Sequence, residues 1–500
     1  MKKIIISIIT FGILFTSCND QLDINSDPDS LTPADLALNV ELPIAIAGIA
    51  GVQGSEWAII GGIWSQMFTQ SAGSNQYKTI DDYSLSTSDR ISTDGWRYAY
   101  DALQDIRNVK ANALNQENWN YYLIATVLES YTFQMLTDWY GDIPFSEANN
   151  SAIFQPVFDD AQTVYDGLIE NLNDALGRNL GSSLGTAPST DDLVFAGNMA
   201  NWTKFANTLK LRIFLRQTEA RSSVASTGIN AMLNSGAQFL DVDASMTGFT
   251  DAPNISNPFY ETDRRQLNTK LNIRASTTMY SFLDSNSDER INTFYGSGVP
   301  LDQGNFDTDE DPTSFSVINL SPLSDIYFIS AAQSYFMQAE ALERYKGGTG
   351  AKAAYDAGVS AAFNKAPNFY DNTLTEDSQT WVFDAPYDAT PYIASGGVYE
   401  YPSGGSMDDK LKSIITQKWI ASFPDNGAEA FFEWHRTGIP AVSSVAQDDI
   451  GYVPGEFAIS VGGKLGTGFP QRLLYPNTET SRNPNTPEVV PVTTAIWWNQ

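Results

Sequence analysis

From Asp94 onward, apolar residues recur at helical spacing: Trp96, Ala99, Tyr100, Leu103, Ile106, Val109 and Ala113 fall on one face, with Thr93 or Asp94 available as a cap. A second helix is predicted over 119–140. There Tyr122, Leu123, Leu128, Tyr131, Met135 and Trp139 repeat the pattern until Gly141 and Pro144 stop it. The two form an antiparallel hairpin, and the same pairing is predicted for 157–176 with 201–216 and for 326–345 with 351–365. In the last pair Gly347 and Gly348 break the middle and Pro367 ends the unit, while Ala331, Ala332, Ala339 and Ala341 allow close backbone approach. Its length is near the tetratricopeptide period of about 34 residues.

Between the hairpins, segments 181–198, 236–275, 292–322 and 366–407 are rich in Gly, Pro, Asn, Asp, Ser and Tyr. Loops this long in a compact protein are generally functional or insertional. The expected fold class is mainly α, a tetratricopeptide-like scaffold of helical hairpins with large irregular loop insertions. The stretch 42–64 is also strongly apolar, but Glu56, one proline and several glycines interrupt it. It is expected to be a buried helix and loop rather than a membrane span.

The N-terminus follows another pattern. Lys2 and Lys3 precede an apolar run over 4–15, and Phe15-Thr16-Ser17 leads into Cys18, the only cysteine. The run is shorter than the roughly 20 apolar residues of a membrane span and has the layout of a secretory signal. With the thiol at the junction, residues 1–17 are expected to be a removed lipoprotein signal and Cys18 the acylated anchor. An ordinary signal peptide with an incidental cysteine is the alternative. Acyl chains contribute about 0.8 kcal/mol per buried methylene, enough in combination to hold a soluble domain at a membrane. Residues 19–33, acidic and poor in aliphatics, form the expected tether, which leaves 34–500 as a single domain.

Charge and composition narrow the chemistry. A formal charge of −30, from 59 acids against 29 bases, repels phosphate backbones and anionic headgroups. Nucleic acid is therefore excluded as a partner, and a neutral or cationic ligand is favoured. One cysteine permits no internal disulfide, and one histidine, His435, excludes histidine triads and multi-histidine zinc sites. His435 lies at an aromatic helix end and reads as structural. The glycines at 462–468 lack the strand, lysine and helix of a phosphate-binding loop. Paired carboxylates for glycoside hydrolysis cannot be recognised by spacing alone.

The acidic run Asp302, Asp307, Asp309, Glu310 and Asp311 offers oxygen ligands, so Asp307, Asp309 and Asp311 are candidates for Ca2+. Pro312 and Ile318 replace the turn glycine and closing glutamate of a calcium loop, and a solvated acidic loop is the competing reading. Aromatics crowd the predicted loops: Tyr77, Tyr83, Tyr260, Tyr370, Trp381, Tyr387, Tyr392, Tyr399 and Tyr401. Such rings either stack on the CH-rich faces of sugars or fill the core.

Several blocks together resemble the SusD/RagB outer-membrane nutrient-binding lipoproteins of Bacteroidetes. They are the lipoprotein signal, Trp139-Tyr140-Gly141-Asp142-Ile143-Pro144-Phe145, Tyr335-Phe336-Met337-Gln338-Ala339-Glu340-Ala341 and Ile415-Thr416-Gln417-Lys418-Trp419. Glu429-Ala430-Phe431-Phe432-Glu433-Trp434-His435-Arg436-Thr437-Gly438 and Pro470-Gln471-Arg472-Leu473-Leu474-Tyr475-Pro476 complete the set. Trp434-His435-Arg436 stands where many relatives carry a run of arginines, which marks a divergent SusD-like branch. The resemblance implies a helical SusD-like fold and a lipid-anchored, surface-exposed position on the outer membrane. It also implies partnership with a SusC-like TonB-dependent barrel, and noncatalytic capture of glycans or, in some branches, peptides. Its ligand loops map regionally onto 74–94 and the later insertions, which makes Asn75, Tyr77, Tyr83, Tyr260 and Trp381 the candidate ligand residues. A surface glycoside hydrolase is the enzymatic alternative.

Overall fold

The computed structural model describes residues 37–267, 272–366, 379 and 387–499. Cys18, the signal and the tether lie outside the described residues. The chain enters through α1 (Leu38–Val52), runs without a loop through a π-helical turn (Gln53–Trp57), and continues as α2 (Ala58–Trp64). The loop expected within 42–64 is thus replaced by continuous helix, because the polar groups there find internal partners. Gln53 donates to the Asp425 carbonyl at 2.9 Å and accepts from the Tyr131 hydroxyl at 2.8 Å, and Glu56 pairs with Arg90 at 2.8 Å. The stretch is long and apolar enough to cross a membrane, yet most of it is buried within the protein.

The hairpins follow. α3 (Arg90–Asn115) pairs with α4 (Trp119–Tyr140), which begins where the Asn118 side chain caps the Tyr121 amide. It ends at Gly141, whose φ of 86° no side chain readily adopts. α5 (Ala161–Gly177) starts on the Asp160 cap and packs against both α4 and α6 (Met199–Arg216), and α7 (Ser222–Asn234) lies on α6. α8 (Ala331–Lys346) and α9 (Ala351–Lys365) form the hairpin read from their alanines, turned by Gly347 in the left-handed region. α10 (Met407–Ala421) and α11 (Gly427–Thr437) close the bundle. The start of α11 crosses α2 so tightly that Gly61 and Gly427 face backbone atoms with no room for a Cβ.

Two departures from the sequence expectation concern strands. The predicted helix over 326–345 begins instead as β4 (Ile326–Ile329), which pairs antiparallel with β2 (Ala244–Met246). All four residues of β4 are buried, and an Ile-Tyr-Phe-Ile run suits a strand as well as a helix. Ser330 and Gln333 then form a capping box that opens α8. Within the long insertions, β1 (Phe68–Gln70) pairs antiparallel with β3 (Ile273–Ala275), and isolated bridges of Arg274 with Val317 and Ser276 with Leu301 tie 292–322 onto this pair.

The core holds an unusual concentration of charge. Arg216 of α6 reaches Glu433 at 2.5 Å, Glu429 at 2.7 Å and Asp138 of α4 at 3.4 Å. Arg436 of α11 grips both oxygens of Glu340 of α8, at 2.7 and 2.8 Å, and Glu433 at 2.6 Å. Lys418 of α10 lies 3.2 Å from both Glu429 and Glu433, and Arg212 of α6 is 3.8 Å from Glu429. Burial alone would raise the Glu433 carboxyl, but Arg436, Lys418 and Arg216 together hold it well below the usual range. Asp138 is the exception. Burial outweighs Arg216 and pushes it up to about 6, while the Tyr165 hydroxyl (2.5 Å) and the Trp498 indole (2.9 Å) donate to it. Removing one member leaves its partners uncompensated, so Glu433→Gln is expected to lower unfolding free energy by about 3–5 kcal/mol in urea titrations at neutral pH.

Candidate functional site

Of the residues singled out, Asn75, Tyr77, Tyr83 and Tyr260 lie on loops that meet in one hydrogen-bonded region beside β1 and β3. Gln70, at the end of β1 and fully buried, donates to the carbonyls of Ser71 (2.8 Å) and Ser74 (3.1 Å) and to the Ser74 hydroxyl (2.6 Å). Its oxygen accepts from the Tyr77 amide at 2.6 Å. One side chain thereby fixes the whole 71–77 turn. Asp81 performs the same role behind it, accepting from the Thr69 hydroxyl (2.5 Å), the Gln70 amide (2.7 Å) and Gln303 (2.5 Å). Burial overrides these donors and raises Asp81 to about 6. The Gly304 amide donates to Thr69 at 2.9 Å, so the loop around 303 is held to β1 through the same cluster.

Two further contacts complete the face. The Tyr77 hydroxyl donates to Asp263 at 3.2 Å, in the π-helical turn Glu261–Arg265 that directly follows Tyr260. Lys78 pairs with Asp307 at 3.0 Å and its ammonium lies 4.8 Å from the centre of the Phe306 ring. Three loops, 71–83, 258–265 and 302–312, therefore converge.

The tyrosines expected to meet ligand do not face outward. Tyr77 is 1% exposed and Tyr83 is 3% exposed, and Tyr83 adopts a φ of 62° that turns its ring toward Phe469. Both rings are covered by protein, which corrects the expectation that they stack on sugars. A Gly-, Ser- and Asn-rich surrounding sequence suggests exposure, yet hydrogen bonds donated by Tyr77 to Gln70 and Asp263 draw the segment inward. Asn75 is exposed, and Tyr260 is half-buried with the Arg265 guanidinium 5.2 Å from its ring centre. Trp381 and Tyr370 lie outside the described residues. Tyr387, Tyr399 and Tyr401 are also interior; Tyr399 and Tyr401 donate to Asp288 (2.7 Å) and Glu343 (2.5 Å).

The candidate calcium ligands do not assemble. Asp307 is engaged by Lys78, Asp311 accepts from the amide and hydroxyl of Thr313 as a turn cap, and Asp309 points to solvent. Among the described residues no three acidic or histidine side chains converge on a metal-sized site. His435 is enclosed by Phe431 and Trp434 and faces the Pro470 carbonyl at 2.9 Å. Burial lowers it to about 3, so the neutral ring donates from Nε2, a structural role.

Two outcomes follow from this arrangement. Tyr77→Ala should cost about 3–5 kcal/mol of stability, as for other large buried rings, seen as a lowered denaturation midpoint. Asp81 is held protonated more tightly in the folded state than in the unfolded chain, where aspartate titrates near 4. Its contribution is complete below that pH and declines as pH climbs toward 6. Relative to Asp81→Asn, the wild type should therefore lose about 3 kcal/mol between pH 3.5 and 6.5; denaturant titrations of both proteins across that range measure it.

Solved structures share this architecture. A SusD homolog from Bacteroides uniformis superposes with a TM-score of 0.69 at 22% identity, covering 92% of this chain and 99% of that one. A SusD/RagB family protein from Bacteroides thetaiotaomicron gives 0.72 at 19% identity, covering 93% and 99%. A chitin-binding SusD homolog from Flavobacterium johnsoniae gives 0.69 at 22% identity, covering 92% and 98%. No curated protein sequence matches. The family model SusD-like_2, described as "starch-binding associating with outer membrane", matches residues 57–458, and the chain accordingly belongs to the SusD-like family.

Proposed function

We propose that this protein is a noncatalytic glycan-binding lipoprotein of the outer membrane, anchored through Cys18, that captures oligosaccharides and passes them to a SusC-like TonB-dependent barrel. The observation that carries the reading is the family match over residues 57–458. The chitin-binding relative from Flavobacterium johnsoniae supports a saccharide ligand. The braced loop face supports a binding role, because Gln70 and Asp81 pre-order loops whose tips remain polar and exposed, which reduces the entropy lost on binding. Asn75 and Tyr260 on this face, together with Trp381, are the proposed ligand contacts.

Immobilised protein should retain a subset of plant, microbial or host polysaccharides without generating new reducing ends. Steady sugar release would identify a hydrolase instead, and retention of peptides alone would assign the peptide-binding branch. Tyr260→Ala and Trp381→Ala should each weaken glycan binding by about 1–3 kcal/mol in calorimetry, with the melting temperature nearly unchanged. Mass spectrometry of the mature protein should find Cys18 acylated.

A further inference from the structure

A separate cleft of about 420 Å³ opens on another part of the scaffold, between the first turns of α3, the 144–156 loop and the C-terminal helix Asn477–Arg482. Its size falls within the range of small-molecule sites, roughly 300–1,000 Å³. Trp96 and Tyr100 line it, their rings 4.9 Å apart, and Trp96 is backed in turn by Tyr140, Phe158 and Tyr475. Phe154 stands at this cleft 92% exposed. Leaving a whole phenyl ring in water forgoes the roughly 2–3 kcal/mol its burial would contribute, and no ring contact involving it is seen among the described residues.

Polar groups at the cleft are also incompletely used. Asn149, held at a φ of 56°, donates its amide to the Tyr100 carbonyl at 3.0 Å, while its Oδ1 is buried and accepts from nothing among the described residues. A buried acceptor left unpaired costs about 1–3 kcal/mol. The Arg482 guanidinium makes no hydrogen bond or ion pair among the described residues, its charge interaction being with Glu479 three positions earlier. The walls are nonetheless fixed. Gln155 donates to the Arg482 carbonyl (3.2 Å), Asn483 to that of Pro156 (2.9 Å) and Asn485 to that of Gln155 (2.9 Å).

We infer that this cleft is a second binding site, one that takes a neutral, hydroxyl-rich saccharide. Phe154 meets the CH face of a sugar ring above the buried floor of Trp96, Asn149 Oδ1 accepts from a hydroxyl, and Arg482 donates to hydroxyl or ring oxygens. Charge selects a neutral ligand. Arg97 is already paired with Asp94 at 3.1 Å, Asp101 and Glu479 at the cleft repel uronates, and the two arginines repel cations. The inference extends the proposed glycan-binding role to a site distinct from the loop face.

The test uses the full-length protein, calorimetry, and hexaoses of the cello, xylo, malto and chito series beside oligogalacturonate. Phe154→Ala should reduce affinity for the bound neutral oligosaccharide about 5- to 100-fold, the loss of one stacked ring. Arg482→Gln should reduce it about tenfold. Both side chains are exposed, so the melting temperature should not move. If Tyr260→Ala or Trp381→Ala abolishes binding while Phe154→Ala and Arg482→Gln leave it intact, the second site is refuted and the proposed function stands. Tighter binding of oligogalacturonate than of every neutral sugar would refute the ligand class. Absence of binding to any glycan would overturn both.

Discussion

Ions enclosed between helices dictate how five helices of this scaffold are assembled. Asp138, Glu340, Glu429 and Glu433 are matched by Arg212, Arg216, Lys418 and Arg436, so the cluster is neutral as a whole while every member is buried. Each charge taken from water costs several kcal/mol, which is offset only if its partners lie at hydrogen-bonding distance. That condition ties α4, α6, α8, α10 and α11 to one relative arrangement, since a shift of one helix would leave an ion unmatched. Apolar packing is more permissive. The aromatic layer beside it, in which Trp139 meets Phe431 and Phe432, supplies burial but tolerates small displacements.

This explains which parts of the sequence announce the family. The blocks around Glu340, Lys418 and Glu429 to Arg436 each contribute members of the cluster, so what reads as a signature is largely the architecture's electrostatic frame. It carries little information about ligand. The loops that meet solvent are where ligand choice is made, and they lack any comparable pattern.

Legibility followed the same division. Helices over 119–140 and 351–365 are readable because side-chain period and terminators agree: Gly141 and Pro144 end one, and Gly347, Gly348 and Pro367 bracket the other's unit. The start of α8 was misread because four apolar residues cannot separate strand from helix. Tyr77 and Tyr83 were misplaced because local composition reports on the loop and not on what lies beneath it. Gln70 and Asp81, which organise the loop face, escaped notice for a related reason. Nothing local distinguishes one buried carboxylate among 59 acids, and its partners Thr69 and Gln303 are far apart in sequence. Phe154, set between Ile153 and Gln155, carries no sequence mark that separates it from an ordinary loop residue.

The amide staples from Asn483 and Asn485 onto the 155–156 carbonyls bring together segments more than three hundred positions apart. One wall of the cleft comes from residues 93–156 and the other from residues 478–483. A molecule clipped behind Tyr475 would retain all of its scaffold helices and still lack that mouth.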